Sequence, residues 1–166
     1  MFSFSPELLD DLRQGFFFGL NSGVITTCGL ITGLIQTDIN HKILIISVLS
    51  LAISDSFSES YGLYLSKKAE NIKDFTKGPL FSLISLFITK FVIVISFLLP
   101  LLLTKNLKVF KNLSWVIGWS ALLLVVLDYN LCKMRNENFW MYIIPHLIVL
   151  FIVIYSTKYF GRILNK

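Results

Sequence analysis

Five stretches of this chain stay apolar for long enough to cross a bilayer, and polar residues gather between them. With about 20 residues needed for a spanning helix, the pattern places spans at 15–37, 43–65, 79–104, 110–131 and 138–160. The connections are short. Residues 66–78 form the only charged connection of any length, and no Pro-, Gly- or Ser-rich linker separates one part of the chain from another. The pattern predicts an all-α integral membrane protein with five transmembrane helices in a single transmembrane domain, 1–166. Ahead of the first span it predicts a short N-terminal interfacial helix. Ser5 can cap it, Pro6 suits its first turn, and Glu7 complements the positive helix end. Phe4 and Leu9 have the spacing of a hydrophobic staple. Phe2, Phe4, Leu8, Leu9 and Leu12 would lie on the lipid surface.

Composition sharpens this picture. The chain is 55% hydrophobic and 15% charged, with a mean hydropathy of +0.73. A soluble domain of this length could not hide so much apolar surface. The lipid bilayer is therefore the first partner. The net charge of +5 fits Lys and Arg flanking the spans, and the absence of a basic face argues against nucleic acid. Cys28 and Cys132 form no paired motif, so neither a disulfide nor a CxxC metal site is expected. The acidic start does not resemble a cleaved signal peptide. No phosphate loop, zinc-protease helix or nucleophile–base set occurs, which argues against an enzyme. Orientation is balanced on charge. Arg13, Lys67, Lys68, Lys73, Lys77, Lys133 and Arg135 fall on one side. Lys42, Lys105, Lys108, Lys111, Lys158, Arg162 and Lys166 fall on the other. The concentrated basic loop near the early spans favours an N-terminus inside.

Two spans carry candidate chemistry. In the first, Gly15, Gly19, Ser22, Thr26, Gly29 and Gly33 share one helical stripe, with Gly23 beside it. Small residues one turn apart let helices approach closely, so a packing face is one reading. In the other, the same thin face lines a path, with Asn21, Ser22 and Thr26 offering oxygen atoms. In the second span Asp55 and Glu59 lie one turn apart on one face. Carboxylates at membrane depth are costly, and two so placed repel unless a cation or proton lies between them. Oxygen donors suit hard or borderline divalent cations, which makes Asp55 and Glu59 the candidate metal ligands. The competing reading is a structural pair with Lys90 of the third span. One lysine cannot neutralise both carboxylates. Ser82, Ser85, Thr89 and Ser96 of the third span suggest routine interhelical hydrogen bonding. Trp115 and Trp119 suggest an interfacial position. Asp128 is expected close to water and His146 as a satisfied structural histidine.

These residues bring a family into view. Asp11-Leu-Arg13-Gln-Gly15 through Gly19-Leu-Asn21-Ser22-Gly23-Val-Ile-Thr26-Thr27 resembles the first-span signature of the vacuolar iron transporter family, Gly-x-Asn-Asp-Gly-Leu-Val-Thr. Ser58-Glu59-Ser60-Tyr61-Gly62-Leu63-Tyr64-Leu65-Ser66 resembles its second-span signature, Ser-Met-Ala-x-Gly-Glu-Tyr-x-Ser. Leu98-Leu99-Pro100-Leu101 is similar to the end of its third span, and Tyr159-Phe160-Gly161-Arg162-Ile163-Leu164 to its C-terminal Gly-Arg-Leu ending. The resemblance implies a homodimer with a cytosolic N-terminus. Its ion path would lie between the two first spans and beside the second spans. It also implies proton-coupled transport of Fe2+ or Mn2+ as cargo, with no permanently bound cofactor. The chain departs from the pattern at the chemistry. Ser22 stands for the family's aspartate, Leu63 for its glutamate and Glu59 for its methionine, and a glutamate-rich metal-collecting region is missing.

The expectation is a divalent-cation transporter. Asp55 and Glu59 would hold the cation or proton, Ser22, Asn21 and Thr26 would line the path, and Lys90 is the possible charge partner. The alternatives are a divergent member moving another ion or small solute through the Asp55/Glu59–Lys90 cluster, and a non-transporting membrane assembly protein.

Overall fold

A computed structural model describes residues 6–37, 39–70, 78–99 and 113–165. They form five helices: α1 (Pro6–Ile35), α2 (His41–Glu70), α3 (Gly78–Ser96), α4 (Leu113–Arg135) and α5 (Phe139–Leu164). All five are long and apolar enough to cross a membrane, so the chain reads as a multi-pass integral membrane protein. Its surface agrees with that. Ile46, Ile53, Phe57, Met141, Phe151 and Tyr155 are all exposed, an outer apolar shell that water would not tolerate.

The separate interfacial helix is not found. From Pro6 the chain runs without a break into the first span, as one helix of 30 residues. The reason lies in the first three turns, which have partners inside the bundle. Asp11 pairs with Lys67 of α2. Ser82 and Ser85 of α3 donate to the main-chain carbonyls of Asp11 and Leu12 at 3.0 and 2.7 Å. A segment tied to two neighbouring helices stands with them rather than lying on the lipid surface. At 1.5 Å per residue, α1 is roughly 45 Å long, enough to cross both the hydrocarbon core and its polar margins. Phe2, Phe4 and Ser5, the staple and cap of the expected helix, lie outside the described residues.

The remaining ends follow local chemistry. Asn40 caps α2, its side chain accepting from Ile43 N at 2.9 Å, and Asn138 caps α5 by accepting from Trp140 N at 3.1 Å. Asn136, at a φ of 53°, makes the left-handed turn between α4 and α5, a conformation that asparagine tolerates. Helix α3 ends at Ser96, where Phe97 and Leu98 close tight turns onto Val94 and Ile95; residues 100–104 of the expected third span lie outside the described residues.

α1 is the central helix and touches each of the other four, while α2 packs on α3 and α4 on α5. Val24, Cys28, Ile31, Val48, Ala52, Val94, Phe97, Val116 and Leu124 fill the core. The glycine stripe is consumed inside one chain. Gly15 and Gly19 lie against the α3 backbone, and a Cβ on Gly19 would stand 2.8 Å from the Leu86 carbonyl oxygen. Gly29 meets Val153 of α5. The stripe therefore seats α3 and α5 against α1. Gly19→Ala is expected to lower stability by about 1–3 kcal/mol, because backbone cannot move aside as a flexible side chain can. Gly62→Ala, where nothing lies within 4 Å, is expected to leave stability unchanged or slightly raised. Thermal unfolding of the two purified variants checks this.

Candidate functional site

Midway along α1, α2 and α3, four polar side chains meet. Lys90 comes from α3 and is fully buried. Its Nζ stands 2.5 Å from Asp55 Oδ2 and 2.7 Å from Glu59 Oε2, both on α2. It donates a hydrogen bond to Ser22 Oγ of α1 at 2.9 Å, and the Ser22 hydroxyl donates onward to Glu59 Oε1 at 2.8 Å. Lys90 lies about 18 Å along α3 from Gly78, and Glu59 about 16 Å along α2 from Glu70, at 1.5 Å per residue. Both positions lie well inside helices long and apolar enough to cross a membrane.

Helix geometry explains the convergence. Asp55 and Glu59 are one turn apart, so both carboxylates stack on one face of α2. That same helix packs on α3 through Val48, Ala52, Ser56 and Ser60, where small residues leave room for the long lysine. Gly23, against Lys90 Cγ and Ile93, lets α1 come close enough for Ser22 to reach both partners.

The electrostatics are unbalanced. One ammonium faces two carboxylates, so with all three ionised the cluster carries one net negative charge. Lys90 contacts both acids, a point that the sequence reading left open. Asp55 Oδ2 and Glu59 Oε2 are buried oxygens in ion-pair contact with Lys90 but without an aligned hydrogen bond. They retain lone pairs that a proton or a cation could use. Among the described residues no group of three or more His, Cys, Asp or Glu side chains converges. A metal ion here would meet two carboxylates and a serine hydroxyl, and it would compete with Lys90 for them.

Asp55 also opens outward. With Ser47, Ser50, Ser54, Ser58 and Leu51 of α2 and Leu30 of α1 it lines an open groove of about 450 Å³. The other expected path residues are not drawn in. The Thr26 hydroxyl is spent on the Ser22 carbonyl, one turn back, at 2.8 Å. Asn21 shows no contact with the cluster, and its Oδ1 is buried without a hydrogen-bond partner.

Two further polar groups escaped the sequence reading. Near the start of α1, Lys67 pairs with Asp11 and donates to Ser82 Oγ at 2.6 Å. Lys67 lies eight residues from Glu59, and Ser82 eight from Lys90, so this second polar contact lies a little over two turns along the same pair of helices. Between α4 and α5, Asp128 is fully buried and its Oδ1 is 2.6 Å from His146 Nδ1. Asp128 is therefore not the water-facing residue its position suggested. Elsewhere the serines behave as expected of interhelical or local hydrogen bonds: Trp119 Nε1 donates to Ser96 Oγ at 3.0 Å.

Comparison with family models, with curated proteins and with solved structures gives no match for this chain.

Proposed function

We propose that this protein is a membrane transporter that exchanges a divalent cation for protons at Asp55, Glu59 and Lys90, with Fe2+ and Mn2+ as the first cargo to test. One observation carries the reading. A fully buried lysine inside an apolar helix long enough to span a membrane contacts two carboxylates at once, leaving a negative charge that needs a second positive partner. Ionisable groups inside a span are costly and mark ion pathways or proton relays.

In this reading Lys90 is the internal stand-in for the cargo. With no cation bound, its ammonium holds Asp55 and Glu59 together and Ser22 fixes the orientation of Glu59. A cation approaching along the serine groove reaches Asp55 first, because Asp55 lines that groove. The incoming charge competes with Lys90 for the carboxylates. Proton uptake by either carboxylate weakens its hold on the cation and favours release. Oxygen donors without thiolate or imidazole suit a hard or borderline ion. The homodimer and the cytosolic N-terminus implied by the family resemblance belong to the same proposal.

A second reading has Lys90 itself in its favour. A permanent ammonium between the carboxylates suits a monovalent ion or a small cationic solute as well as a metal. Flux into vesicles containing the purified full-length chain separates the readings. Under an imposed proton gradient, Mn2+ and Fe2+ uptake above protein-free vesicles is expected. Uptake of monovalent cations alone would favour the second reading. No flux of any cation from folded protein would overturn transport and leave an assembly role.

A further inference from the structure

We propose that Asp128 and His146 form a separate proton-binding site, held between α4 and α5, helices that contribute no residue to the Lys90 cluster. Asp128 has no solvent exposure. Its Oδ1 is 2.6 Å from His146 Nδ1, and its Oδ2 is buried without a hydrogen-bond partner. An ionised Asp128 beside a neutral imidazole would leave a negative charge and a bare oxygen inside the membrane, an unfavourable combination. One added proton removes that charge. It can make the imidazole cationic, giving an ion pair, or it can sit on the carboxyl group. In either form the pair holds one proton more than a neutral histidine and a carboxylate.

Hairpin geometry places the two at one level. Asp128 lies nine residues before Glu137 and His146 nine residues after it, on antiparallel helices joined by the turn at residues 136–138. Asp128 is fully buried, whereas the His146 side chain is 22% exposed at the surface of the bundle. Of the two, the imidazole is the group that a proton reaches first. Several other titratable groups on the surrounding elements have partners of their own, lie exposed, or are buried in the core. On α4, the Cys132 thiol donates to the Tyr129 carbonyl, and Lys133 and Arg135 are exposed at the helix end. On α5, the Tyr142 hydroxyl bonds Glu137. On α1, Arg13 pairs with Asp10 and Asp11 with Lys67, and Cys28 is buried in the core.

Binding of the proton stands by itself; its use to drive cation exchange rests on the transport reading above. The test uses the full-length chain in lipid vesicles, with infrared difference spectra recorded on acidification from about pH 8 to about pH 5. The chain has two histidines, so assignment is direct. An imidazole change is expected that His146→Gln removes and His41→Gln leaves. Asp128→Asn is expected to alter the same change and to remove only the Asp128 part of the carboxyl signal, leaving that of Asp55 and Glu59. In flux measurements, the ratio of proton-driven to gradient-free cation exchange is expected to fall about tenfold in His146→Gln. Identical spectra from folded wild type and His146→Gln would overturn the site and leave a fixed hydrogen bond. If Asp128→Asn fails to fold, His146→Gln alone decides. An imidazole change in a protein that carries no cation would support the proton site and overturn the transport reading. A change in spectrum with an unaltered flux ratio would overturn the coupling role.

Discussion

Replacing Lys90 with methionine is expected to destabilise the protein by about 3–5 kcal/mol, the cost of leaving two half-buried carboxylates without their shared partner. The side chain is fully buried, so water cannot take over from the ammonium. Its loss would leave Asp55 and Glu59 one turn apart with nothing between them, and Ser22 would lose the group it accepts from. Unfolding followed by tryptophan fluorescence in detergent reads the effect. The control is the triple variant Lys90→Met, Asp55→Asn, Glu59→Gln. With both charges removed along with the lysine, most of the lost stability is expected to return, because an uncharged polar cluster no longer carries the uncompensated charge. Equal stability of Lys90→Met and wild type would mean that the three groups are not an electrostatic unit.

The parts of this architecture that were legible in the sequence are those set by single segments. Five long apolar runs suffice to place five helices, since a bilayer leaves a backbone few other solutions. The spacing of Asp55 and Glu59 suffices to put them on one face. Contacts that join separate helices were harder to read. The first turns of α1 look like an amphipathic surface helix, because Phe, Leu and acidic residues alternate there. What holds them upright is Lys67, Ser82 and Ser85, from two other helices. Lys90 was visible as a lone charge, yet its contact with both carboxylates and Ser22 depends on how α1 and α2 sit around α3. Thr26 shows the opposite failure. A hydroxyl on the candidate stripe looked available, but a threonine inside a helix can bond the carbonyl four residues back, and this one does. Asp128 and His146 were each read alone. Counting outward from the Asn136 turn pairs them, but only once the two spans are taken as an antiparallel hairpin.

Asp55→Asn and Glu59→Gln are each expected to reduce proton-driven Mn2+ flux to the level of protein-free vesicles. The two substitutions keep shape and remove charge, which is why they separate transport from folding. Either change leaves one carboxylate facing Lys90, so the cluster becomes a neutral one-to-one pair. That arrangement is easier to keep buried than the native one, and each variant is expected to be as stable as wild type or more so. It is also a worse cation site, because a divalent ion would have to be neutralised by a single carboxylate while the Lys90 ammonium stays nearby. Stability and flux should therefore move in opposite directions, as expected when a charge imbalance is kept for function rather than for folding. Ser22→Ala offers a graded comparison. It removes the hydroxyl that accepts from Lys90 and donates to Glu59 but leaves all three charges, so a partial loss of flux is expected. If Asp55→Asn and Glu59→Gln instead lose stability and flux together, the carboxylates serve to anchor Lys90, and the charge cluster is a structural strut of the α1–α2–α3 unit.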